Sequence, residues 1–164
     1  MGNAILYRMA SGIPGDISRQ SQATVESQTY NASLPFPGYG LFGKIAAGKF
    51  VPIAASDTAA VVYGLLVRPY PTHGGAGSEP LGTATPPTKG MADVLRRGYM
   101  TVKNNAGTPA IGSQVYVRVA AAAAGKPIGG IEAAADSTNT IAITGATFMC
   151  AADADGNVEI AYNI

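Results

Sequence analysis

Near the C terminus the chain reads Asp153-Ala154-Asp155-Gly156, carboxylates beside a glycine, which is how a calcium loop often begins. A helix-flanked calcium loop needs oxygen ligands at alternate places, Gly at the sixth and a carboxylate at the twelfth. With Asp153 first, Gly156 falls at the fourth place and Ile164 at the twelfth, so the spacing rejects calcium. An Asp-Gly pair between apolar segments is instead a hairpin signal, because Gly accepts positive φ. "TFMCAA" before it and "NVEIAYNI" after it supply the two strands. Zinc needs clustered Cys and His, and the chain has one of each, Cys150 and His73.

Nucleophilic catalysis fares no better. Cys150 would need His73 as its base, yet Cys150 sits in an apolar stretch, where lone cysteines serve as small core hydrophobes. "HGGAG" (73–77) suggests an esterase oxyanion loop, but no G-x-S-x-G elbow exists. "GGAGSEPLG" lacks the GK[ST] of a phosphate loop. Asp57, Asp136 and Asp153 sit where turn chemistry explains them. The sequence therefore predicts no catalytic residue, no metal ligand, no cofactor and no enzymatic activity.

The elements around these residues read as strands. The 164 residues suit one domain, 1–164, large enough to fold without disulfides or a structural metal. Charged residues make up 13%, about half the usual 25%, and Gly and Pro are abundant. "QVYVRV" (114–119) alternates, with Val115, Val117 and Val119 on one face and Tyr116 and Arg118 on the other. "GYMTVK" (98–103) alternates too, and the two are expected to pair as antiparallel neighbours across "NNAGTPAIGS". "VVYGLLVRPY" (61–70) suits a strand buried on both faces, and "FVPIAA" (50–55) an edge strand. "VAAAAAGKPIGG" reads as a strand end entering a loop, and "NTIAITGATFMCAA" as two strands around a corner at Gly145. "MADVLRRG" (91–98) is the one predicted helical turn, with Met91, Val94 and Leu95 at spacings of three and four.

Two segments stand apart. Residues 69–90 hold five prolines and few core-forming side chains, and are expected to form a long exposed loop. Residues 1–35 read as a partly extended arm, with a possible edge strand in "SRQSQATVESQTYN"; arms of this kind often lie on a partner.

Net charge is +1, which gives no electrostatic reason to expect nucleic acid. Arg96, Arg97, Tyr99 and Lys103 with Tyr116 and Arg118 can form a small basic, aromatic strip, which favours a protein partner. Residues 66–126 carry seven Lys/Arg and two acids, whereas 127–164 carry five acids and no Lys or Arg. This fits either ordinary solvation or opposite faces for neighbouring copies. No apolar run reaches the ~20 residues of a membrane helix, and "MGNAILYRMASG" has neither a signal-peptide pattern nor Ser or Thr at position 6 for myristoylation. A protein made and used in soluble form, without membrane contact, is expected.

The stretches "LLVRPYPT", "LRRGYMTV", "VYVRV", "IGGIEA" and "DADGNVEIAYNI" together resemble the structural cement, or capsid decoration, proteins of tailed bacteriophages. The resemblance runs from "FPGYGLFGKI" to the C terminus and includes no catalytic motif. It implies an all-β fold, a jelly-roll-type sandwich or barrel. It also implies binding to the outer surface of an icosahedral head, where each copy bridges capsomers and stabilises the shell. The implied partners are the phage major capsid protein and other copies of itself, as dimer or trimer; the implied location is the virion, after synthesis in the host bacterial cytoplasm. Candidate capsid contacts are Arg8, Arg19, Tyr70, His73, Lys89, Arg96 and Arg97. The alternative is a carbohydrate- or receptor-binding β-domain of a phage tail or fibre, built on the 69–90 loop.

Overall fold

The computed structural model describes residues 12–69 and 85–164. Nine strands carry the fold, and the described residues contain no α-helix. In chain order they are β1 (Thr24–Thr29), β2 (Phe42–Ala46), β3 (Lys49–Pro52), β4 (Gly64–Leu66), β5 (Met91–Ala106), β6 (Gln114–Arg118), β7 (Ile131–Glu132), β8 (Thr140–Phe148) and β9 (Asn157–Tyr162). The second half of β5 pairs with β9, β9 with β8, β8 with β6, β6 with β7, and β7 returns to β5. That ring is a closed five-stranded barrel, so of the two expected forms the chain takes the barrel. All its pairings are antiparallel except β5 with β7. The first half of β5 pairs instead with β1 and β4, and β2 and β3 extend that outer sheet.

The segment 91–98 corrects the helical expectation. Thr24 lies opposite Arg97 and Val25 opposite Leu95, so Arg96 is an extra residue in β5, a bulge. The bulge follows all three apolar residues, whose register with β1 is unbroken. Their helix-like spacing arises because the strand carries apolar side chains on both faces, Val94 on one and Met91 and Leu95 on the other. Both faces are packed at 94–95. Val94 is buried in the outer sheet's core with Phe36, Phe50 and Leu66, whereas Leu95 is buried in the barrel core with Phe42, Leu65 and Met100. Strand β4 is sandwiched in the same way, Leu65 toward one core and Leu66 toward the other. Within the 61–70 run only Gly64–Leu66 is strand, and that part is buried on both faces, whereas Val61 is exposed.

Two other expectations change. β5 and β6 are not neighbours, because the two-residue β7 lies between them, bonded to both. The described part of the arm lies on the chain's own barrel. The Gly15 N–H donates to the Thr101 carbonyl at 2.8 Å, and the Thr101 N–H returns to the Asp16 carbonyl at 2.9 Å. The Ser18 N–H reaches the Tyr99 carbonyl at 3.1 Å. Residues 15–18 therefore occupy the edge of β5 opposite β9. Gly15 sits at φ +95°, and a Cβ there would come 2.5 Å from Tyr39 Cβ, so only Gly lets the arm approach this closely.

The corner expected at Gly145, which has φ +76°, lies within the single strand β8 and not between two strands. Other expectations hold. β1 is an edge strand, β3 ends a sheet with Pro52 at its terminus, and 119–130 is a loop after β6. The last hairpin turns at 153–156. The Asp153 carboxylate accepts from the Asp155 and Asn157 amides at 3.0 and 2.8 Å, the Gly156 N–H reaches the Asp153 carbonyl, and Gly156 adopts φ +78°. These oxygens are engaged in shaping the turn.

Candidate functional site

The exposed surface carries two clusters of one design, an arginine laid on a tyrosine ring and anchored by a glutamate. In the first, Arg19 of the arm stacks 3.9 Å from the ring centre of Tyr99 on β5. Its Nε and Nη2 donate to the two oxygens of Glu159 on β9 at 3.1 and 2.8 Å, and the Ser18 hydroxyl donates to the same carboxylate at 2.6 Å. The hydrogen bond to Glu159 raises the Arg19 pKa further. The cluster exists because Tyr99 and Thr101 point outward from β5 while the arm runs beside them and Glu159 faces Thr101 across the ladder.

The second cluster sits at the bulge. Arg96 stacks 3.7 Å from the ring centre of Tyr63 and lies 3.5 Å from Glu26 of β1. The Tyr63 hydroxyl donates to Glu26 at 2.5 Å, which pushes its pKa up, and accepts from the Gln28 amide at 3.1 Å. Both arginines remain solvent-accessible, with side-chain exposures of 43% for Arg19 and 33% for Arg96. They present a flat guanidinium face that is already oriented, a favoured protein-contact chemistry.

The other candidates fall differently. Arg97 is exposed beside the bulge, opposite Thr24. Lys89 is exposed just before β5. Arg8, Tyr70 and His73 lie outside the described residues, as does most of the 69–90 loop. Sequence reasoning missed Glu26, Tyr63 and Glu159, because nothing local says which distant strand supplies an arginine's carboxylate.

Arg118 is a correction. It points away from Val115 and Val117 as expected, yet it is 1% exposed. It donates to both oxygens of buried Glu132 at 2.5 and 3.1 Å, to Asp136 at 2.7 Å, and to the carbonyls of Ala120 and Ala121. Hydrogen bonds from Arg118, then from Asn139, hold the Asp136 carboxyl below the usual range. Arg118 therefore drops out of the surface strip. The proposed charge separation dissolves for the same reason: acids of 127–164 neutralise cations within the chain, Glu132 and Asp136 at Arg118 and Glu159 at Arg19.

An open groove of about 310 Å³ lies between the arm and the barrel, lined by Pro14, Tyr39, Leu41, Arg68, Lys103 and Pro127 among others. Its walls are prolines, apolar groups and two cations. Among the described residues, no three His, Cys, Asp or Glu side chains converge as metal ligands, and no helix is long and apolar enough to cross a membrane.

The fold defines the class, an all-β protein built on a closed barrel with outer strands. The chain belongs to the XM1 gp53 minor capsid protein family, whose model matches residues 2–162. Among solved structures it is similar to a chain from "The capsid of Myoviridae Phage XM1". The TM-score is 0.70 and the identity 20%, over 99% of this chain and 97% of that one. No curated protein matches it. At that identity the structural likeness speaks for the fold, and the family match makes the protein a phage capsid structural protein of the virion.

Proposed function

We propose that the protein is a cement for an icosahedral phage head, bound to the outer surface of the shell and bridging neighbouring copies of the major capsid protein. The observation that carries this reading is the capsid-family match along residues 2–162, joined to a surface whose arginines are oriented before any partner arrives. Arg19 and Arg96 are held by ring and carboxylate, so little side-chain entropy remains to be lost on docking. A closed barrel adds a stiff body. Weak patches suffice, because a copy tethered at one capsomer meets the next at high effective concentration. A ligand that binds only the assembled shell stabilises it by mass action.

The docking face comprises Arg19, Lys89, Arg96 and Arg97, with Arg8, Tyr70 and His73 contributing from the arm and the loop. It takes a protein partner rather than nucleic acid or membrane, and it acts by binding alone. The test mixes purified protein with undecorated heads and sediments them. Co-sedimentation in stoichiometric amount supports cementing, with Arg97→Glu reducing the bound fraction in a salt-dependent way. Protein left wholly in the supernatant rejects it.

A further inference from the structure

In a regular strand Leu95 and Met100, an odd number of residues apart, would face opposite sides. Both are buried in the barrel core, because Arg96 between them is an extra residue. The consequence falls on two consecutive arginines. Gly98 lies opposite Tyr162, a barrel-core residue, and so faces inward, which turns Arg97 outward. Arg96 also faces outward, since it stacks on Tyr63. The bulge thus sets Arg96 and Arg97 on one side of β5, where a plain ladder would have split them.

A bulged residue leaves the ladder, and its backbone groups need other partners. The Arg96 carbonyl is met by Asn163, whose Nδ2 donates to it at 2.8 Å. Two local features put the amide there. Asn163 leaves β9 at φ +54°, which Asn tolerates, while its own N–H donates to the Gly145 carbonyl at 2.8 Å. A Cβ on Gly145 would lie 2.7 Å from Asn163 Oδ1, so glycine at 145 leaves the amide its room.

The two guanidinium groups are not saturated within the chain. Arg96 directs Nε toward Glu26, 3.5 Å away, and among the described residues neither of its Nη atoms is hydrogen-bonded. Arg97 is exposed and has no ion pair among the described residues. Glu26 therefore matches one of two cations and leaves the outer fork of Arg96 open. We propose that Arg96 and Arg97 form one binding site for a carboxylate, an Asp or Glu side chain presented by the surface of a protein partner, with Asn163 as the positioning residue. The outer edge of a guanidinium offers two parallel N–H donors that match a planar carboxylate. Tyr63 fixes the plane of that fork, Asn163 fixes the backbone that carries it, and Arg97 adds the charge that Glu26 does not balance. That the partner is the capsid shell rests on the cement reading; the site itself does not.

Acetate is the probe. It replaces chloride at constant ionic strength while the side-chain Nε–H signals of Arg96, Arg97 and Arg19 in the full chain are followed by NMR. Arg96 and Arg97 should shift together and saturably, and more than Arg19, whose Nε already donates to Glu159. Arg96→Lys keeps the charge but not the fork, and should weaken the acetate affinity read at Arg97 about tenfold. Asn163→Gly accepts the positive φ and removes only the amide, and should weaken that affinity about threefold or more. Equal shifts at all three arginines overturn the site, as does full acetate affinity in Arg96→Lys. Unchanged affinity in Asn163→Gly, whatever its Tm, overturns the positioning role. On undecorated heads both variants should bind less than the parent, in the same order. Heads that bind no parent protein reject the cement reading alone, because the acetate titration decides the site without them. Heads that bind parent and both variants alike overturn the shell as the partner of this site.

Discussion

Gly15→Ala is expected to detach the arm from the barrel while leaving the barrel folded. Gly15 has φ +95°, where an L side chain is strained, and its new Cβ would lie 2.5 Å from Tyr39 Cβ and 3.0 Å from Arg68 Cβ. Neither neighbour yields easily, since each is the first carbon of a side chain fixed to backbone. The positive φ costs about 1–2 kcal/mol, and crowding into a packed site about 1–3 kcal/mol. Allowing for partial relaxation, roughly 2–4 kcal/mol acts against the docked arm. The readout is amide exchange at Thr101, whose N–H donates to Asp16 in the arm. Protection there should fall roughly 30- to 1,000-fold, at one decade per 1.36 kcal/mol. Val102 is the control, because it lies opposite Val158 on the β9 side. Loss of protection at Thr101 with Val102 unchanged is the predicted result. Equal protection in the variant and the parent would refute the reasoning, since the arm would then not depend on Gly15. Equal loss at both amides would show instead that arm and barrel unfold as one.

Arg118→Met leaves Glu132 charged and buried without its partner, so it should lower Tm well below the change produced by Arg19→Met at the exposed cluster; comparable shifts in thermal scans would contradict the buried-network account. Asp136 has a folded pKa below its unfolded one. Its stabilisation is thus full above the unfolded value of about 3.9 and is lost as pH falls through the folded value. Asp136→Asn should therefore flatten the acid limb of a stability–pH curve. That curve is best measured with Asp16→Asn present, because burial raises the Asp16 pKa and gives the opposite slope. On undecorated heads, Arg96→Ala should reduce binding while preserving the fold, and an unchanged bound fraction would exclude the bulge cluster from the docking face.

What the sequence made legible was whatever depends on neighbours along the chain. The valines of β6 and the Asp-Gly turn before β9 follow from alternation and turn chemistry. The 91–98 segment differs from its helical expectation because β5 is buried on both faces, so Val94 and Leu95 are both apolar and, with Met91, give a strand the spacing of a helix turn. The β5–β6 pairing was misread because β7 is only two residues long and carries almost no pattern. Arg118 showed the right face but not its burial, since a buried cation is distinguishable from a surface one only once Glu132 and Asp136 are in place. Arg19 and Arg96 were legible as candidates by type. Their ring-and-carboxylate seats depend on contacts between residues 19 and 159 and between 26 and 96, which no local rule specifies.

The central claim is that the protein holds an assembled shell together. It is tested most directly by the temperature at which heads lacking the protein come apart, measured with and without a saturating amount of it. At 100 times the dissociation constant, binding restricted to the intact shell contributes about 2.7 kcal/mol per site. The account therefore predicts a clear rise in the disruption temperature that scales with occupancy and disappears when the protein binds dissociated subunits equally well. Full occupancy of the shell with no change in that temperature would contradict it.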